Sequence, residues 1–397
     1  MSFHQLDQPT LHNLLERKVA EVVGEPAFNW RSDFRPFMTD DTGAPVVRLA
    51  VTNCRIDMDI WEGLRGPSRV GMYPLDLSDV WKHFAAADVK GTRPDGTDAP
   101  LVMPESFEDA RGRFRRAVIA SGMLVLNPEI FKAYAEKIEA GDADPVDYYS
   151  RAMDDVDRIV EKALGKMALG LMASARAVVP MAERKVGQIV ERTRAEYLKG
   201  RYHGPCNNHW PQNSIAVMTG LLRFGANRLP FRDEVTAEGK RQRLFGRYAS
   251  LVVFDAEEPV ADGNGGVSLL NAERMAWMRR INDYTDTAPE VMAERFCTYN
   301  KVGSDGTTIC GKCMAGCPSG ALANSTPLPG GSFEPRVTEQ EHRFWKETLD
   351  FDHGNCCRDR HQKAMLFDEY VCIRCEALCA FEGVKKSRSE LRAINGG

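Results

Sequence analysis

The sequence has little cysteine over most of its length and no strong excess of charge. Of the 11 cysteines in 397 residues, only Cys54 and Cys206 precede residue 297. Lys and Arg number 52, Asp and Glu number 56, and the formal net charge is −4. Because the two signs of charge are nearly balanced and interspersed, the composition argues against a dedicated binder of nucleic acid or of anionic membranes.

Signals for export, membrane insertion and nucleotide binding are also missing. The opening "MSFHQLDQPTLHNLLERKVAEVV" has no basic start followed by an apolar run and no twin-arginine pair, so we expect a cytoplasmic protein. The most apolar helical stretch, residues 167–181, is too short for a bilayer span and contains Arg176 and Pro180. It predicts a buried helix and no membrane span. The glycines at 63–71 and 261–266 do not form a G-x-G-x-x-G dinucleotide fingerprint.

The cysteines that are present are concentrated at the end of the chain. Nine of the 11 lie at or after residue 297. Since disulfides are rare in a reducing compartment, clustered C-x2-C pairs indicate metal binding. "CGKCMAGCP" at 310–318 has the spacing C-x2-C-x3-C followed by proline, and "CIRCEALC" at 372–379 repeats that spacing with Ala380 in place of the proline.

Both runs match the last three cysteines of the bacterial ferredoxin pattern C-x2-C-x2-C-x3-C-P, whose fourth cysteine ligates the other cluster. The first cysteine of the pattern is missing, but each run has one further upstream. Twelve residues separate Cys297 from Cys310, and fourteen separate Cys357 from Cys372. The sequence therefore predicts two 4Fe–4S clusters with crossed fourth ligands. The predicted sets are Cys297, Cys310, Cys313 and Cys379 for one cluster, and Cys317, Cys357, Cys372 and Cys375 for the other. Cys356 is the spare cysteine, or it replaces Cys357.

Structural zinc is the competing interpretation of these cysteines, because two distant C-x2-C pairs can close a tetrahedral site of four thiolates. A zinc ribbon, however, has no use for a third cysteine four residues after each pair, or for Pro318 after the first run. The extra cysteines favour iron–sulfur clusters over zinc.

The layout of the chain resembles that of the cobalamin-dependent reductive dehalogenases and epoxyqueuosine reductases, in which a larger N-terminal domain precedes a two-cluster ferredoxin segment. The likeness covers residues 297–380. Its most specific part is "CTYNKVGSDGTTICGKCMAGCP", in which a lone cysteine, a nearby aromatic residue and a Gly-Ser-Asp-Gly turn precede C-x2-C-x3-C-P. Here both cysteine motifs are of the shortened kind, and no D-x-H-x-x-G signature occurs. The resemblance implies cluster binding and, by analogy of layout, cobalamin as a second cofactor.

The remaining sequence predicts an α+β or α/β fold, with a larger mixed N-terminal domain and a C-terminal bacterial-ferredoxin-like domain that binds two clusters. We divide the chain into a mixed α/β segment at 1–104, a mainly helical region at 105–296 and the ferredoxin-like domain at 297–397. The helical prediction includes "ESFEDARGRFRRAVIASGMLVL" and a long segment from near Pro145 to a break at Pro180.

Two shorter predictions concern strands in the N-terminal domain. The stretch "YASLVVFDAEEPV" at 248–260 has the clearest strand pattern in the chain. Cys54 lies in the strand-like "VVRLAVTNCRID" and is most simply a small buried hydrophobe.

A loop at 201–214, "RYHGPCNNHWPQNS", is rich in side chains that can donate protons or bind a metal. Tyr202 and His203 are candidate proton donors to a reduced substrate, and Cys206 with His203 and His209 could bind a metal. The alternative is a proline-bounded connector whose polar groups cap neighbouring helices.

The basic run "EGKRQRLFGR" contains Arg243 and Arg247. We predict that these two arginines bind an anionic cofactor or an acidic partner. The competing interpretation is a solvated helix face.

Together these features predict an iron–sulfur oxidoreductase that passes electrons through two clusters to a small-molecule substrate or to a second cofactor, cobalamin or a flavin. A ferredoxin or flavodoxin would be the electron donor. The alternative is a non-catalytic electron-transfer subunit that docks a catalytic partner. The 296 residues before the cysteine segment favour the reductase, since a carrier alone needs far fewer.

Overall fold

The computed structural model describes residues 6–28, 35–58, 77, 90–92, 98–100, 107–141, 148–172, 177–181, 212–224, 230–260, 267–270, 312, 374–379 and 387–394. The helices in these ranges are α1 (Gln8–Val23), α2 (Phe107–Arg113), α3 (Pro128–Glu139), α4 (Tyr148–Met172), α5 (Gln212–Met218), α6 (Arg374–Cys379) and α7 (Arg388–Ile394), with a 3-10 turn at Pro26–Phe28. The strands are β1 (Val47–Arg55), β2 (Lys90–Thr92), β3 (Asp98–Pro100), β4 (Arg116–Val125), β5 (Ala177–Met181), β6 (Arg223–Phe224), β7 (Pro230–Val235), β8 (Arg241–Leu244), β9 (Gly246–Asp255) and β10 (Val267–Leu269).

The main sheet has five strands in the order β10-β1-β4-β9-β5. All its pairings are antiparallel except that of β10, which runs parallel to β1. Two smaller antiparallel sheets hold β2-β3 and β6-β7-β8. The described chain thus mixes helices with largely antiparallel strands, in agreement with the predicted α+β class. The main sheet takes β1 from residues 1–104 and its other strands from 105–296.

β4 lies at the centre of the main sheet and is buried along all ten of its residues. Its small residues let helices approach closely. A Cβ added at Gly122 would lie 2.6 Å from Cδ2 of Leu15 in α1 and 3.5 Å from Cδ2 of Leu164 in α4. Both helices therefore cover the face of the sheet to which Gly122 belongs.

α1 begins at an N-cap that its sequence supplies, since the side chain of Asp7 accepts a hydrogen bond from the backbone N–H of Thr10 at 2.8 Å. Its apolar residues recur at helical spacing and are buried: Leu11, Leu14, Leu15, Val19 and Val22. α1 packs against α4 and β1, and α4 packs against β9 and β5. Among the helices that the structure describes, none is both long enough and apolar enough to cross a bilayer.

Two helix predictions are wrong. The stretch predicted as one helix from about 105 to 126 is the short helix α2 followed by the central strand β4. The apolar run "RAVIASGMLV" is buried on both faces of a sheet, where a strand and a buried helix show the same lack of alternation. Within 105–296, the described residues therefore form both helices and strands instead of being mainly helical.

The long helix also ends earlier than predicted. α4 stops at Met172, and Ala177–Met181 form β5, paired with β9. The prediction of a buried helix over 167–181 is therefore wrong in its second half. Pro180 fits this strand because β5 pairs only with β9 in the described sheet, and an edge strand tolerates the missing N–H donor of proline.

Two strand predictions are confirmed. Of the strand predicted at 248–260, residues 248–255 lie in β9, whose last seven residues are buried, and the strand ends at Asp255, so residues 256–260 are not part of it. Cys54 lies near the end of β1 with 0% of its surface exposed, as expected of a small buried hydrophobe.

Candidate metal centre

β8 and β9 follow each other in the chain with a single residue, Phe245, between them, and the chain turns a corner there. The ring of Phe245 packs edge-on against Phe131 of α3 at 5.3 Å and against Phe231 of β7 at 6.2 Å between centroids. Its carbonyl accepts a hydrogen bond from the backbone N–H of Leu126 at 2.9 Å. These contacts fix the corner in place against the main sheet.

Gly246 makes this corner possible. A Cβ at this position would lie 2.6 Å from the backbone carbonyl oxygen of Leu124, and would also meet the side chain of Met123. Because the backbone of β4 cannot move aside easily, a larger residue would push the start of β9 away from β4. The glycine thereby places Arg243 and Arg247 on either side of one tight turn.

Arg243 extends from β8 to the end of α6. Its guanidinium carbon lies 4.3 Å from the centroid of the Phe231 ring, within the range of a cation–π contact. Its Nη1 donates to the carbonyl oxygen of Cys379 at 3.1 Å and to the Sγ of Cys379 at 2.6 Å. A fixed positive charge thus faces a sulfur that the sequence predicts to be a cluster ligand.

Arg247 holds the same helix from the neighbouring strand. Its Nη1 lies 3.9 Å from Oε1 of Glu376 in α6, and its Nε lies 3.8 Å from Oδ2 of Asp157 in α4. The side chains of Arg247 and Glu376 are only 17% and 12% exposed. Charges this shielded from water interact more strongly than surface pairs, and removing one would leave the other poorly solvated.

α6 itself is docked by apolar contact as well as by charge. Glu376, Ala377 and Leu378 are buried, and the helix packs against α3. Its sequence is the second cysteine run, so Cys375 and Cys379 lie four residues apart in this helix. The docking places the described part of the second cysteine run, α6, against α3 and the corner between β8 and β9.

The described side chains of this corner pair cations with a thiol and a carboxylate. Thiolate is the form of cysteine that binds metal, and a neighbouring cation stabilises it. Glu376 is the one carboxylate in the run 372–379 and lies beside Arg247, so its negative charge is balanced by that arginine. Of the predicted ligands, Cys379 is the one whose side chain the structure describes, and a cation faces its sulfur.

Cys54 lies in the opposite environment. Burial, and secondarily the charge of Asp57, raise the pKa of the Cys54 thiol to about 12. A buried thiol of this kind is inert towards metal and towards oxidants. Cys54 therefore belongs to the core and not to the metal centre.

The structure thus brings together three of the predicted site residues: Arg243, Arg247 and Cys379. The prediction assigned these arginines to an anionic cofactor or an acidic partner, and in the structure they contact the cysteine helix. They lie on strands and are half-buried, so the alternative of a solvated helix face is wrong. Apart from Cys375 in α6, the other predicted site residues lie outside the described residues: Tyr202, His203, Cys297, Cys310, Cys313, Cys317, Cys357 and Cys372. The same holds for Cys356, Cys206 and His209.

Within the described ranges, no three His, Cys, Asp or Glu side chains are grouped so as to hold a metal ion. The cysteine motifs themselves, not a described ligand sphere, are the basis of the cluster prediction.

Sequence reasoning missed Glu376 and Asp157, which pair with Arg247. Glu376 stands inside "CIRCEALC", where an acidic residue among predicted cluster ligands would need a neighbouring cation to balance its charge. That signal could have linked the cysteine run with the basic run. Asp157 is one of several acidic residues in α4, and nothing in the sequence distinguishes it.

The end of the loop at 201–214 is anchored on the same strand, β9. The hydroxyl of Tyr248 donates to Oδ1 of Asn213 at 2.6 Å, and that of Ser250 donates to Oε1 of Gln212 at 2.9 Å. Consecutive strand residues point to opposite faces of a sheet. Arg247 therefore faces α4 and α6, and Tyr248 faces α5. Gln212 and Asn213 at the end of the loop and the cysteine helix α6 thus meet β9 from its two sides.

Comparisons of this chain with protein-family models, with curated proteins and with solved structures gave no match.

Proposed function

We propose that this chain is an iron–sulfur oxidoreductase that passes electrons through two 4Fe–4S clusters to a substrate or a second cofactor held by its N-terminal domain. The observation that carries the proposal is the contact between Arg243 and Cys379. It joins the second cysteine run, which matches the last three cysteines of the two-cluster ferredoxin pattern, to the strands of the larger domain. Electrons from the clusters can reach a substrate only if the cysteine region lies against the domain that binds this substrate.

The two predicted cysteine sets would hold the clusters, and the clusters would supply one-electron transfer. Arg243 supplies a positive charge and an N–H donor at the sulfur of Cys379. Arg247 holds α6 on β9 through Glu376, which keeps the cysteine helix in place. The ferredoxin-like fold of residues 297–397 is part of the proposal.

Reduction of an organic substrate needs protons as well as electrons. We assign proton donation to Tyr202 or His203 in the loop at 201–214, because a phenol or an imidazole within hydrogen-bond reach of the substrate can act as a general acid. The end of that loop is fixed to β9 by Gln212 and Asn213. β9 also carries Arg247 at its start, so one strand supports both the proposed electron entry and the proposed substrate loop.

The second cofactor of the proposal is cobalamin, by the resemblance of the cysteine segment to that of reductive dehalogenases and epoxyqueuosine reductases, or else a flavin. The proposed electron donor is a cytoplasmic ferredoxin or flavodoxin, and the substrate is a small molecule. The proposed function includes no nucleic-acid partner and no membrane span.

Extraction of cofactors tests the enzyme directly. The chain would be expressed anaerobically with cobalamin supplied, purified, denatured, and its extract analysed by mass spectrometry. We expect a corrinoid or a flavin at about one per chain, and loss of substrate reduction in Tyr202→Phe or His203→Ala with the cofactor retained. If the protein holds only iron and sulfide and co-purifies with a larger partner, it is an electron-transfer subunit and the enzyme proposal fails.

A further inference from the structure

We propose that the second cofactor binds through a carboxamide or imide edge in a groove on the α5 side of the main sheet, where it hydrogen-bonds to Ser121 of β4. This inference rests on the proposed function, since it needs that cofactor, and it goes further by giving the cofactor a place on the chain. A corrinoid carries carboxamide side chains around its ring, and an imide forms one edge of a flavin. Both candidate cofactors therefore present the same neutral polar chemistry.

The groove follows from the register of the strands β1, β4 and β9 at the middle of the main sheet. Ala50 of β1 pairs with Ser121 of β4, which in turn pairs with Ser250 of β9. Residues that pair directly across antiparallel strands lie on the same face of a sheet. The rows on either side of this one carry larger side chains, namely Thr52, Ile119 and Val252 in one row and Arg48, Met123 and Tyr248 in the other. The row of small side chains therefore forms a groove across the sheet.

The groove lies on the face away from α1 and α4. Gly122, the next residue of β4, faces those two helices, and consecutive strand residues point to opposite faces of a sheet. The hydroxyl of Ser250 donates to Oε1 of Gln212 in α5 at 2.9 Å. Ser121 is therefore on the side of the sheet against which α5 packs.

The hydroxyl of Ser121 is the observation that points to a ligand. The residue is 1% exposed, and its Oγ has no hydrogen-bond partner among the residues that the structure describes. An unpaired buried hydroxyl costs folding free energy, and most buried polar groups do have a partner. A hydroxyl can donate to the C=O of an amide or accept from its N–H, so either group of the cofactor would supply the partner.

The groove suits a neutral group better than an anionic one. Its row consists of an alanine and two serines, which carry no charge. Arg48 is the one charged side chain in the two flanking rows, and it donates two hydrogen bonds to Glu234, at 2.6 and 2.8 Å. We therefore assign the groove to the amide or imide edge of the cofactor and not to a phosphate or a carboxylate.

The groove also lies beside the end of the loop at 201–214. Gln212 and Asn213 accept hydrogen bonds from Ser250 and Tyr248, which belong to the groove and to its flanking row. A cofactor edge at Ser121 would thus lie next to the point where the proposed substrate loop joins α5.

Calorimetric titration of the full-length chain, purified anaerobically without added cofactor, tests the site. The probes are hydroxocobalamin and FMN, each added alone, so that the two sources of the polar edge are distinguished. The variants are Ser121→Ala and, as the matched control, Ser389→Ala, which removes a hydroxyl from an exposed position on α7. We expect one probe to bind the wild type and to bind Ser121→Ala about three- to tenfold more weakly, as the loss of one neutral hydrogen bond predicts. Ser389→Ala should bind that probe as the wild type does.

Urea unfolding of the same variants without cofactor separates a binding role from a structural one. Because the hydroxyl of Ser121 has no partner among the described residues, its removal should leave the unfolding midpoint unchanged or raise it. A lower midpoint in Ser121→Ala would show that the hydroxyl is bonded within the folded chain, to a buried water for instance, and would overturn the site.

The titration also distinguishes the failure of this inference from the failure of the proposed function. If the wild type binds neither probe, the proposed second cofactor is refuted and the site with it. If the wild type binds a probe and Ser121→Ala binds it equally well, the cofactor stands and only its place at Ser121 is refuted. An equal loss of affinity in Ser389→Ala would likewise refute the place.

Discussion

The end of β1 and the end of α6 each present a cysteine, and the two sulfurs lie in opposite surroundings. Cys54 is fully buried among apolar side chains, and the pKa of its thiol is raised to about 12. Cys379 is half-buried, and its sulfur accepts a hydrogen bond from a guanidinium nitrogen. Desolvation without a counter-charge keeps a thiol protonated and inert, whereas a fixed cation prepares a thiolate for metal.

The comparison extends to how each region is stabilised. The sheet around Cys54 is built from buried apolar strands and two covering helices, which can fold on hydrophobic burial. In the cysteine segment, α6 buries few apolar side chains of its own and is attached to the sheet by Arg243, Arg247 and α3. We infer that ligand binding contributes much of the folding free energy of the cysteine region.

Replacing each cysteine in turn gives the largest expected contrast. Cys379→Ala removes a thiolate ligand and should lower bound iron from about eight to about four per chain, because one four-iron cluster is lost. Cys54→Ala should keep all the iron and cost about 1 kcal/mol of stability through the small cavity it leaves. Iron and acid-labile sulfide analysis after anaerobic purification measures both. Equal iron loss in the two variants would contradict the distinction between Cys379 as a cluster ligand and Cys54 as a core residue.

Alkylation of the native protein sharpens the comparison without any substitution. With a pKa of about 12, only about one in ten thousand Cys54 thiols is ionised at pH 8, against about a quarter for an ordinary cysteine with a pKa near 8.5. We expect iodoacetamide at pH 8 to leave Cys54 unmodified in the folded protein and to modify it in denaturant, as read by peptide mapping. Rapid labelling of Cys54 in the folded state would show that its surroundings are not those described.

Gly246→Ala tests the corner that presents both arginines to α6. The added methyl group meets the backbone of β4 at Leu124, and overpacking of this kind costs about 1–3 kcal/mol. Gly165→Ala in α4 is the matched control, because nothing lies within 4 Å of its Cβ and alanine is the better helix residue. Urea unfolding should show a loss for the first variant and no loss for the second. An unaffected Gly246→Ala would contradict the packing at this corner.

Acid stability tests the ion pair that ties the small sheet to the main sheet. Arg48 of β1 donates two hydrogen bonds to Glu234 of β7, at 2.6 and 2.8 Å. Burial alone would raise the pKa of Glu234, but the hydrogen bonds and charges of Arg48 and Arg232 outweigh it and lower that pKa to about 2. The carboxylate therefore stabilises the fold fully above about pH 4.5, and this contribution is lost as the pH falls towards 2.

We expect the wild type to lose about 1–2 kcal/mol more than Glu234→Gln between pH 5 and pH 2.5, after allowance for solvent screening of a partly exposed pair. Glu129→Gln, at an exposed pair with Lys132, should behave as the wild type does. Unfolding free energies across this pH range supply the measurement. Parallel pH profiles for wild type and Glu234→Gln would disprove the role of the pair.

The sequence predicted the parts of the fold that local patterns determine. β9 and the buried state of Cys54 were predictable from runs of β-branched and apolar residues. β4 was not, because a strand buried on both faces shows no alternation. β5 was not, because the alanines and the arginine just before it extend a helical pattern. Local preference was overridden there by pairing within the sheet.

The cysteine spacing predicted a candidate metal centre, but not its place in the molecule. Arg243 and Cys379 are 136 residues apart in sequence, and their contact depends on the corner at Gly246 and on the docking of α6. Such long-range contacts follow from tertiary packing, which patterns in a single sequence do not predict. The basic run predicts a contact with an anionic group, and only the fold shows that Arg243 meets Cys379 and Arg247 meets Glu376.

Metal analysis of anaerobically purified wild-type protein tests the central claim most directly. The two crossed cysteine sets predict about eight iron atoms and about eight acid-labile sulfides per chain, with a Mössbauer spectrum of 4Fe–4S clusters alone. One or two zinc ions per chain, with neither iron nor sulfide, would contradict the claim and assign the cysteines to structural zinc.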